Sequence, residues 1–245
     1  MSTASPGSTP LHNSIVLAGA GVTLEPADPR NQQPKRILSP LTLTLEEPRI
    51  AVIGANGSGK STLLRLLNGL VLPSEGTVHV NGHSTQAAVG AVRRSVGFVF
   101  TDPLSQLVMP TPLEDIELSL RRQKLGKAAR REKAQAILAA YGLGHLAGSS
   151  IYELSGGERQ LTALATVLAV APDILVLDEP STLLDLRNTR LLMQRLEALP
   201  QQLIMSTHDL ALVSGFDRVL VIDNGALAFD GAPGEAIAAY LRLVE

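Results

Sequence analysis

The sequence predicts an α/β fold: a largely parallel sheet carrying a small antiparallel β lobe and an α-helical sub-lobe. Three observations lead there. Ile50–Ile53, Ile174–Leu177, Leu203–Met205 and Val219–Ile222 are short continuous apolar runs, each followed within two residues by Gly, Asp, Ser or Asn, as strands covered on both faces read. Helical patterns lie between them, Ser61–Leu70 after the first and Leu186–Leu199 after the second, which gives the alternation of an α/β layer structure. Two other stretches have a different character: Ile15–Thr44 alternates and is broken by prolines, and Leu113–Gly148 is helical and highly charged.

In chain order, residues 1–13 (Met-Ser-Thr-Ala-Ser-Pro-Gly-Ser-Thr-Pro at the start) have neither the basic opening nor the apolar stretch of a secretory signal, and read as a disordered tail. Residues 14–245 read as one domain, since 245 residues with 45% apolar content reach the upper range of a single core. In Ile15–Thr44, Leu41-Thr-Leu-Thr-Leu45 alternates most cleanly, while Pro26, Pro29, Pro34 and Pro40 imply a long loop in a small antiparallel lobe. The helical sub-lobe is placed at about 102–170. Within it Arg121–Lys133 holds seven basic residues and one acid, read first as a solvated helical face and second as a dock for an acidic partner or lipid headgroups. Ala163–Ala171 is apolar but stops at Pro172, far short of the roughly 20 residues a membrane span needs.

Charge and composition remove some function classes. With 21 basic and 23 acidic residues the net charge is −2, so nothing draws the whole chain to a polyanion and no nucleic-acid partner is expected. The absence of cysteine removes disulfides, thiolate metal sites and thiol nucleophiles.

The chemistry lies in motifs at strand ends. Gly54-Ala55-Asn56-Gly57-Ser58-Gly59-Lys60-Ser61-Thr62 comes directly after an apolar strand and directly before a helix. There glycines let backbone N–H groups curl around a phosphate, the helix N-terminus adds its positive end, Lys60 supplies a charge, and Ser61 is placed to ligate Mg²⁺. Ile174-Leu-Val-Leu-Asp178-Glu179-Pro180 sets two adjacent carboxylates at a buried strand end, where alternation sends them in different directions. Asp178 suits the Mg²⁺ shell; Glu179 suits orienting or deprotonating an attacking water. Leu154-Ser155-Gly156-Gly157-Glu158-Arg159-Gln160 opens a helix running to Ala171 and presents backbone N–H groups at its positive end.

Ser155 lies 95 residues after Lys60, and the paired acids begin 18 residues after Gln160. With these strings the chain resembles the nucleotide-binding subunit of ABC ATPases from about Ile15 onward. The resemblance implies a P-loop NTPase (RecA-like) core, ATP and Mg²⁺ as ligands, and hydrolysis of ATP. It also implies a head-to-tail pair, with a second copy or a paralogue, in which Ser155, Gly156, Gly157 and Glu158 of one chain face the γ-phosphate held by Lys60 of the other. Ser181-Thr182-Leu183-Leu184-Asp185 matches the segment linking the two sites, with Asp185 as its communicating residue. His208, 29 residues past Glu179, matches the histidine that senses γ-phosphate and joins Glu179 as a catalytic candidate. His12, His79, His83 and His145 are read as ordinary histidines; Asn81-Gly82 between His79 and His83 signals a hairpin turn rather than a metal pair.

Two departures mark a subtype. The family stacks adenine on an aromatic residue ahead of the long N-terminal loop, whereas here Leu24–Pro26 stands in that place and the first aromatic is Phe98. After the strand ending at Phe100 the family has glutamine where this chain has Thr101, with Gln106 five residues on, and either is a candidate for sensing Mg²⁺. Thr101-Asp-Pro-Leu-Ser-Gln106 followed by Pro110-Thr-Pro-Leu-Glu-Asp-Ile116 resembles the ATPases of energy-coupling-factor (ECF) importers, biotin systems first and cobalt or nickel systems next. The resemblance implies a peripheral position on the cytoplasmic face of the membrane, an integral-membrane coupling subunit and a substrate-binding membrane protein as partners, and no contact with the transported substrate. The alternative expectation is a soluble ABC ATPase acting on a protein assembly scaffold.

Overall fold

The computed structural model describes residues 13–26 and 33–245. The expected tail, apart from Asn13, and the centre of the expected N-terminal loop, with Pro29, lie outside the described residues, as does His12. Asn13 donates from its side chain to the Asp173 carbonyl at 3.1 Å.

Along the chain run β1 (Ile15–Leu24), β2 (Lys35–Leu45), β3 (Arg49–Ile53), α1 (Lys60–Leu67), β4 (Glu75–Val80), β5 (His83–Ser84), α2 (Val89–Ser95) and β6 (Val96–Val99). After them come α3 (Pro112–Ser119), α4 (Lys127–Ala140), α5 (Gly156–Leu168), β7 (Ile174–Asp178) and α6 (Leu186–Glu197), and then β8 (Gln202–Ser206), β9 (Arg218–Asp223), β10 (Ala226–Gly231) and α7 (Pro233–Val244). The main sheet has the order β10-β9-β3-β8-β7-β6, parallel from β9 to β6, with β10 added antiparallel. A second, antiparallel sheet has the order β2-β1-β4-β5.

All four apolar runs are strands of the main sheet, and alternation explains why they show no polar face. Ile50 and Val52 of β3, with Ile174 and Val176 of β7, pack with α1 and the antiparallel lobe. Ala51, Ile53, Leu175 and Leu177 point the other way, into a core closed by α6 and α7. Both faces are buried, so each strand reads as continuously apolar. Pro40 falls inside β2 without ending it, because β2 is an edge strand of its sheet and the missing N–H interrupts only one side.

Helix ends fall short of the sequence reading for local reasons. α1 stops at Leu67 rather than Leu70: the Asn68 side chain accepts the Leu70 amide at 3.0 Å and Gly69 turns left-handed at φ 67°. α5 stops at Leu168 rather than Ala171, which itself sits at φ 51° ahead of Pro172, and α6 stops at Glu197 rather than Leu199. The antiparallel lobe extends past its expected limit, because β4 and β5 join it from beyond α1. Asn81 and Gly82, at φ 48° and 78°, form their tight turn, and His79 pairs with Ser84 as backbone.

The charged stretch forms α3 and α4, separated by a short 3-10 turn, Lys124 at φ 54° and Gly126. With α5 they enclose a small core of their own, including Leu113, Ile116, Leu120, Leu138 and Leu161. Among the described residues no helix is long and apolar enough to cross a membrane.

Candidate functional site

Three strand ends, of β3, β7 and β8, converge at the carboxyl edge of the parallel sheet, where open α/β sheets hold ligands. From β3 the chain turns through Gly54 at φ 151°; a Cβ there would lie 2.1 Å from the Ile222 carbonyl, so β9 packed behind the loop admits only glycine. The loop leads into α1, whose N-cap is Gly59 and whose first turn has neither a capping side chain nor an acid. The first amides of α1 are therefore left for a ligand. Above them is a cleft of about 250 Å³ lined by Ile37, Asn56, Gly57, Lys60, Ser61 and Glu179, among others. A Cβ on Gly57 would meet nothing within 4 Å, and the buried Ser58 Oγ has no hydrogen-bond partner. An unspent hydroxyl, unspent amides and one ammonium group suit a polyphosphate.

Lys60 is only 4% exposed. Its Nζ donates to the carbonyls of Gly54 at 2.8 Å and Ala55 at 3.0 Å and lies 3.3 Å from Glu179 Oε1. Ala55, Asn56 and Gly57 are exposed along the loop, while Thr62 follows Ser61 in the first turn and lines the cleft.

Asp178, 1% exposed, is the hub of the carboxylate side. Its Oδ1 accepts from Ser61 Oγ at 2.9 Å and from Ser206 Oγ at 2.9 Å; its Oδ2 faces the Arg65 guanidinium at 3.8 Å; its carbonyl accepts from Thr101 Oγ1 at 2.8 Å. Ser61 and Asp178 thus bring a hydroxyl and a carboxylate oxygen to one point, a donor set that suits Mg²⁺ when phosphate oxygens and water complete the shell.

Glu179 diverges from Asp178 as alternation requires, and its backbone sits at φ 47°, a left-handed conformation uncommon outside glycine. The Ser206 hydroxyl accepts the Glu179 amide at 2.9 Å and helps hold that conformation. The Glu179 Oε2 accepts from Thr182 Oγ1 at 3.1 Å and lies 3.1 Å from His208 Nδ1. Burial pushes the Glu179 carboxyl upward, but the Lys60 ammonium, the His208 ring and the Thr182 hydroxyl outweigh it and hold the group below the ordinary carboxylate range.

The structure therefore gathers Lys60, Ser61, Asp178, Glu179 and His208, and leaves Gln106 outside. The Gln106 carboxamide accepts from the Phe100 amide at 3.3 Å and donates to the Ala163 carbonyl at 2.8 Å, tying the end of β6 to α5. Of the two candidates for sensing Mg²⁺, Gln106 bonds its carboxamide to backbone, and Thr101 touches the Asp178 carbonyl. Ser206 carries only a faint signal in the sequence, a polar residue ending a buried strand two positions before His208.

The second motif lies apart, at the start of α5. Ser155 caps the helix and forms a capping box: its Oγ is 3.4 Å from the Glu158 amide, while its own N–H and Oγ–H both donate to Glu158 Oε2, at 2.8 and 2.7 Å. The Ser155 contacts hold the half-buried Glu158 carboxyl below its ordinary range. Ser155 and Gly156 are exposed; Gly157 is buried against Asn188, where a Cβ would lie 2.7 Å from the amide carbon. Asp185 caps α6 through the Asn188 amide at 2.8 Å.

Against known proteins, residues 38–182 match the family model described as ABC transporter. The biotin transport ATP-binding protein BioM of Rhizobium etli is 47% identical over 206 residues, 84% of this chain and 92% of that one. In structure the chain is similar to cbiO1 of Clostridium perfringens, described as part of the ABC transporter complex cbiONQ, with TM-score 0.77, 27% identity and 94% and 93% of the two chains covered. It is also similar to the ATP-binding cassette MJ0796 in a dimer bound to ADP and Pi, with TM-score 0.80, 27% identity and 89% and 98% covered. A phosphate loop facing paired carboxylates, on a chain whose relatives bind and cleave ATP, places this protein in the ABC transporter family as an ATP-hydrolysing subunit resembling the ATPases of ECF importers.

Proposed function

We propose that this chain energises an ECF-type importer, of biotin in the first instance and of cobalt or nickel next, from the cytoplasmic face of the membrane. The observation that carries the chemistry is the convergence of Lys60, Ser61, Asp178, Glu179 and His208 on one cleft. On ATP binding Lys60 gives up Glu179 and the loop carbonyls for the β- and γ-phosphates, and the amides of Gly57–Ser61 close around them. Ser61 and Asp178 hold Mg²⁺, which when bound neutralises charge building on the phosphate oxygens. Glu179, ionised and freed from Lys60, orients a water and takes its proton. His208, on the far side of that carboxylate, keeps it aimed and reports the terminal phosphate.

One chain carries half of this site, and a second copy supplies Ser155, Gly156, Gly157 and Glu158. Asp185, between Glu179 and α6, links the two halves. The helical sub-lobe, about 102–170, is the partner-facing part. A groove of about 260 Å³ lies between β6 and the sub-lobe, lined by Phe98, Gln106, Val108, Asp115, Leu118 and Thr166 among others. Buried Asp115 shapes its rim by accepting the amides of Val108 and Met109, both at 2.9 Å. This groove is where the membrane coupling subunit docks, and Val108, 70% exposed, is its apolar anchor. The names of the relatives support the substrate class. Co-purification tests the reading: a polytopic membrane protein recovered with the tagged chain from membranes is expected, and recovery of soluble proteins alone overturns it.

A further inference from the structure

The cleft provides for the phosphates and leaves the base without a ring to lie on. Ile37 of β2 lines the cleft, and the end of β1, which pairs with β2 beside it, carries Leu24, 56% exposed, ahead of Glu25 and Pro26. The chain has four Phe, three Tyr and no Trp, all within the described residues. Six of these rings, Phe98, Phe100, Tyr141, Phe216, Phe229 and Tyr240, are buried or half-buried. The seventh, Tyr152, is 73% exposed.

Tyr152 is also firmly mounted. Its carbonyl accepts from Arg159 Nη2 at 2.9 Å, and the carbonyl of buried Ile151 accepts from Arg159 Nε at 3.0 Å. The Ile151 amide in turn donates to the Pro110 carbonyl at 3.0 Å. The backbone under the ring is thus fastened to α5, the helix that Ser155 caps, and Ser155 follows Tyr152 by three residues. With the backbone fixed, covering the ring costs only the ring's own rotamer freedom.

We propose that Tyr152 of each copy forms the base platform of the other copy's nucleotide, in place of a ring in the same chain. This rests on the paired arrangement proposed above, in which Ser155 meets the opposite γ-phosphate. Residues 151–154 form a turn, so Tyr152 stays closer to Ser155 than the about 10 Å that three extended residues would span, and its exposed ring reaches outward from there. In the paired arrangement that ring lies beside the opposite nucleotide, whose base is the part a ring stacks on. Every base has a π-face, so the platform takes adenine and guanine alike, and larger purines better than pyrimidines. A base contact supplied across the interface also makes base recognition a property of the dimer.

The Glu179→Gln chain, titrated with ATP and followed by gel filtration, provides the dimer. Adding Tyr152→Ala is expected to raise the ATP concentration for half-maximal dimerisation roughly 5- to 150-fold, the equivalent of about 1–3 kcal/mol, whereas Tyr152→Phe holds it near the parent value. ADP affinity of the single chain should not move with either variant, since the ring belongs to the other copy's site. Because the chain has no tryptophan, Tyr152→Trp is a single reporter whose emission should change on ATP-driven dimerisation and stay constant with ADP. An Ala variant that dimerises at the parent ATP concentration, or a Trp whose emission ignores dimerisation, overturns the platform and leaves the pairing intact. A Glu179→Gln chain that never dimerises with ATP overturns the pairing and the platform together.

Discussion

Lys60 and Glu179 face each other at 3.3 Å inside the cleft, so the ammonium meant for phosphate and the carboxylate meant for water neutralise one another before nucleotide arrives. Glu179→Gln keeps the shape and removes the base. ATP turnover is expected to fall by about 10²–10⁴-fold, and the ATP-bound dimer to accumulate. Undiminished phosphate release would remove Glu179 from its role.

The same pair sets a pH dependence. The Glu179 carboxyl lies below its ordinary value of 4.5 in the folded chain, so its contribution to stability is present above about pH 4.5 and is lost as pH falls through the folded value. Nucleotide-free wild type should therefore melt above Glu179→Gln near pH 7, and the gap should close in acid. A gap that widens on acidification contradicts the pairing.

Gln106 bridges the Phe100 amide and the Ala163 carbonyl, a brace between sheet and sub-lobe. Gln106→Ala is expected to cost about 1–3 kcal/mol in thermal or urea unfolding, with the Mg²⁺ concentration for half-maximal activity unchanged. A shift in Mg²⁺ dependence without loss of stability would return Gln106 to the metal.

A base held by stacking or apolar contact presents a face that adenine and guanine share, so the chain should hydrolyse ATP and GTP with kcat/KM values within about tenfold of each other, a difference of about 1.4 kcal/mol. A steady-state preference for ATP far beyond that would show another adenine-reading group.

Arg218 ties the two sheets: it grips Asp230 at 2.6 and 2.7 Å, Glu47 at 3.0 and 3.1 Å and the Thr44 carbonyl at 2.7 Å. Hydrogen bonding to Asp230 raises its already high pKa further, so it stays charged at any working pH. Arg218→Met should cost roughly 1–3 kcal/mol, between exposed and buried ion pairs, because both carboxylates are part-exposed. Activity at temperatures well below the transition should be retained.

Legibility in the sequence followed chain locality. Gly54–Thr62, Ser155–Glu158 and Asp178–Glu179 are each contiguous, and their strand and helix settings are signalled by neighbours, so residues and elements could be read together. Contacts that close the site from far along the chain were not legible: Thr101 to the Asp178 carbonyl, Ser206 to both Asp178 and Glu179, Arg65 to Asp178. Sheet membership of β4 and β5 was hidden for the same reason, since α1 stands between them and their partner β1. Gln106 shows the same dependence on distance along the chain. A motif position suggested a ligand, and only the placement of the Ala163 carbonyl, 57 residues on, shows what its amide is bonded to.

The capping box at Ser155 bears on reversibility. Its amide and hydroxyl protons already have an acceptor in Glu158, so in the paired arrangement proposed above a phosphate arriving from another copy would exchange one acceptor for another instead of satisfying an empty donor. Exchange of that kind yields the small difference between two hydrogen bonds, not the whole of one. An interface assembled from such exchanges would close without becoming trapped, and would let go once the bridging phosphate had been cut away.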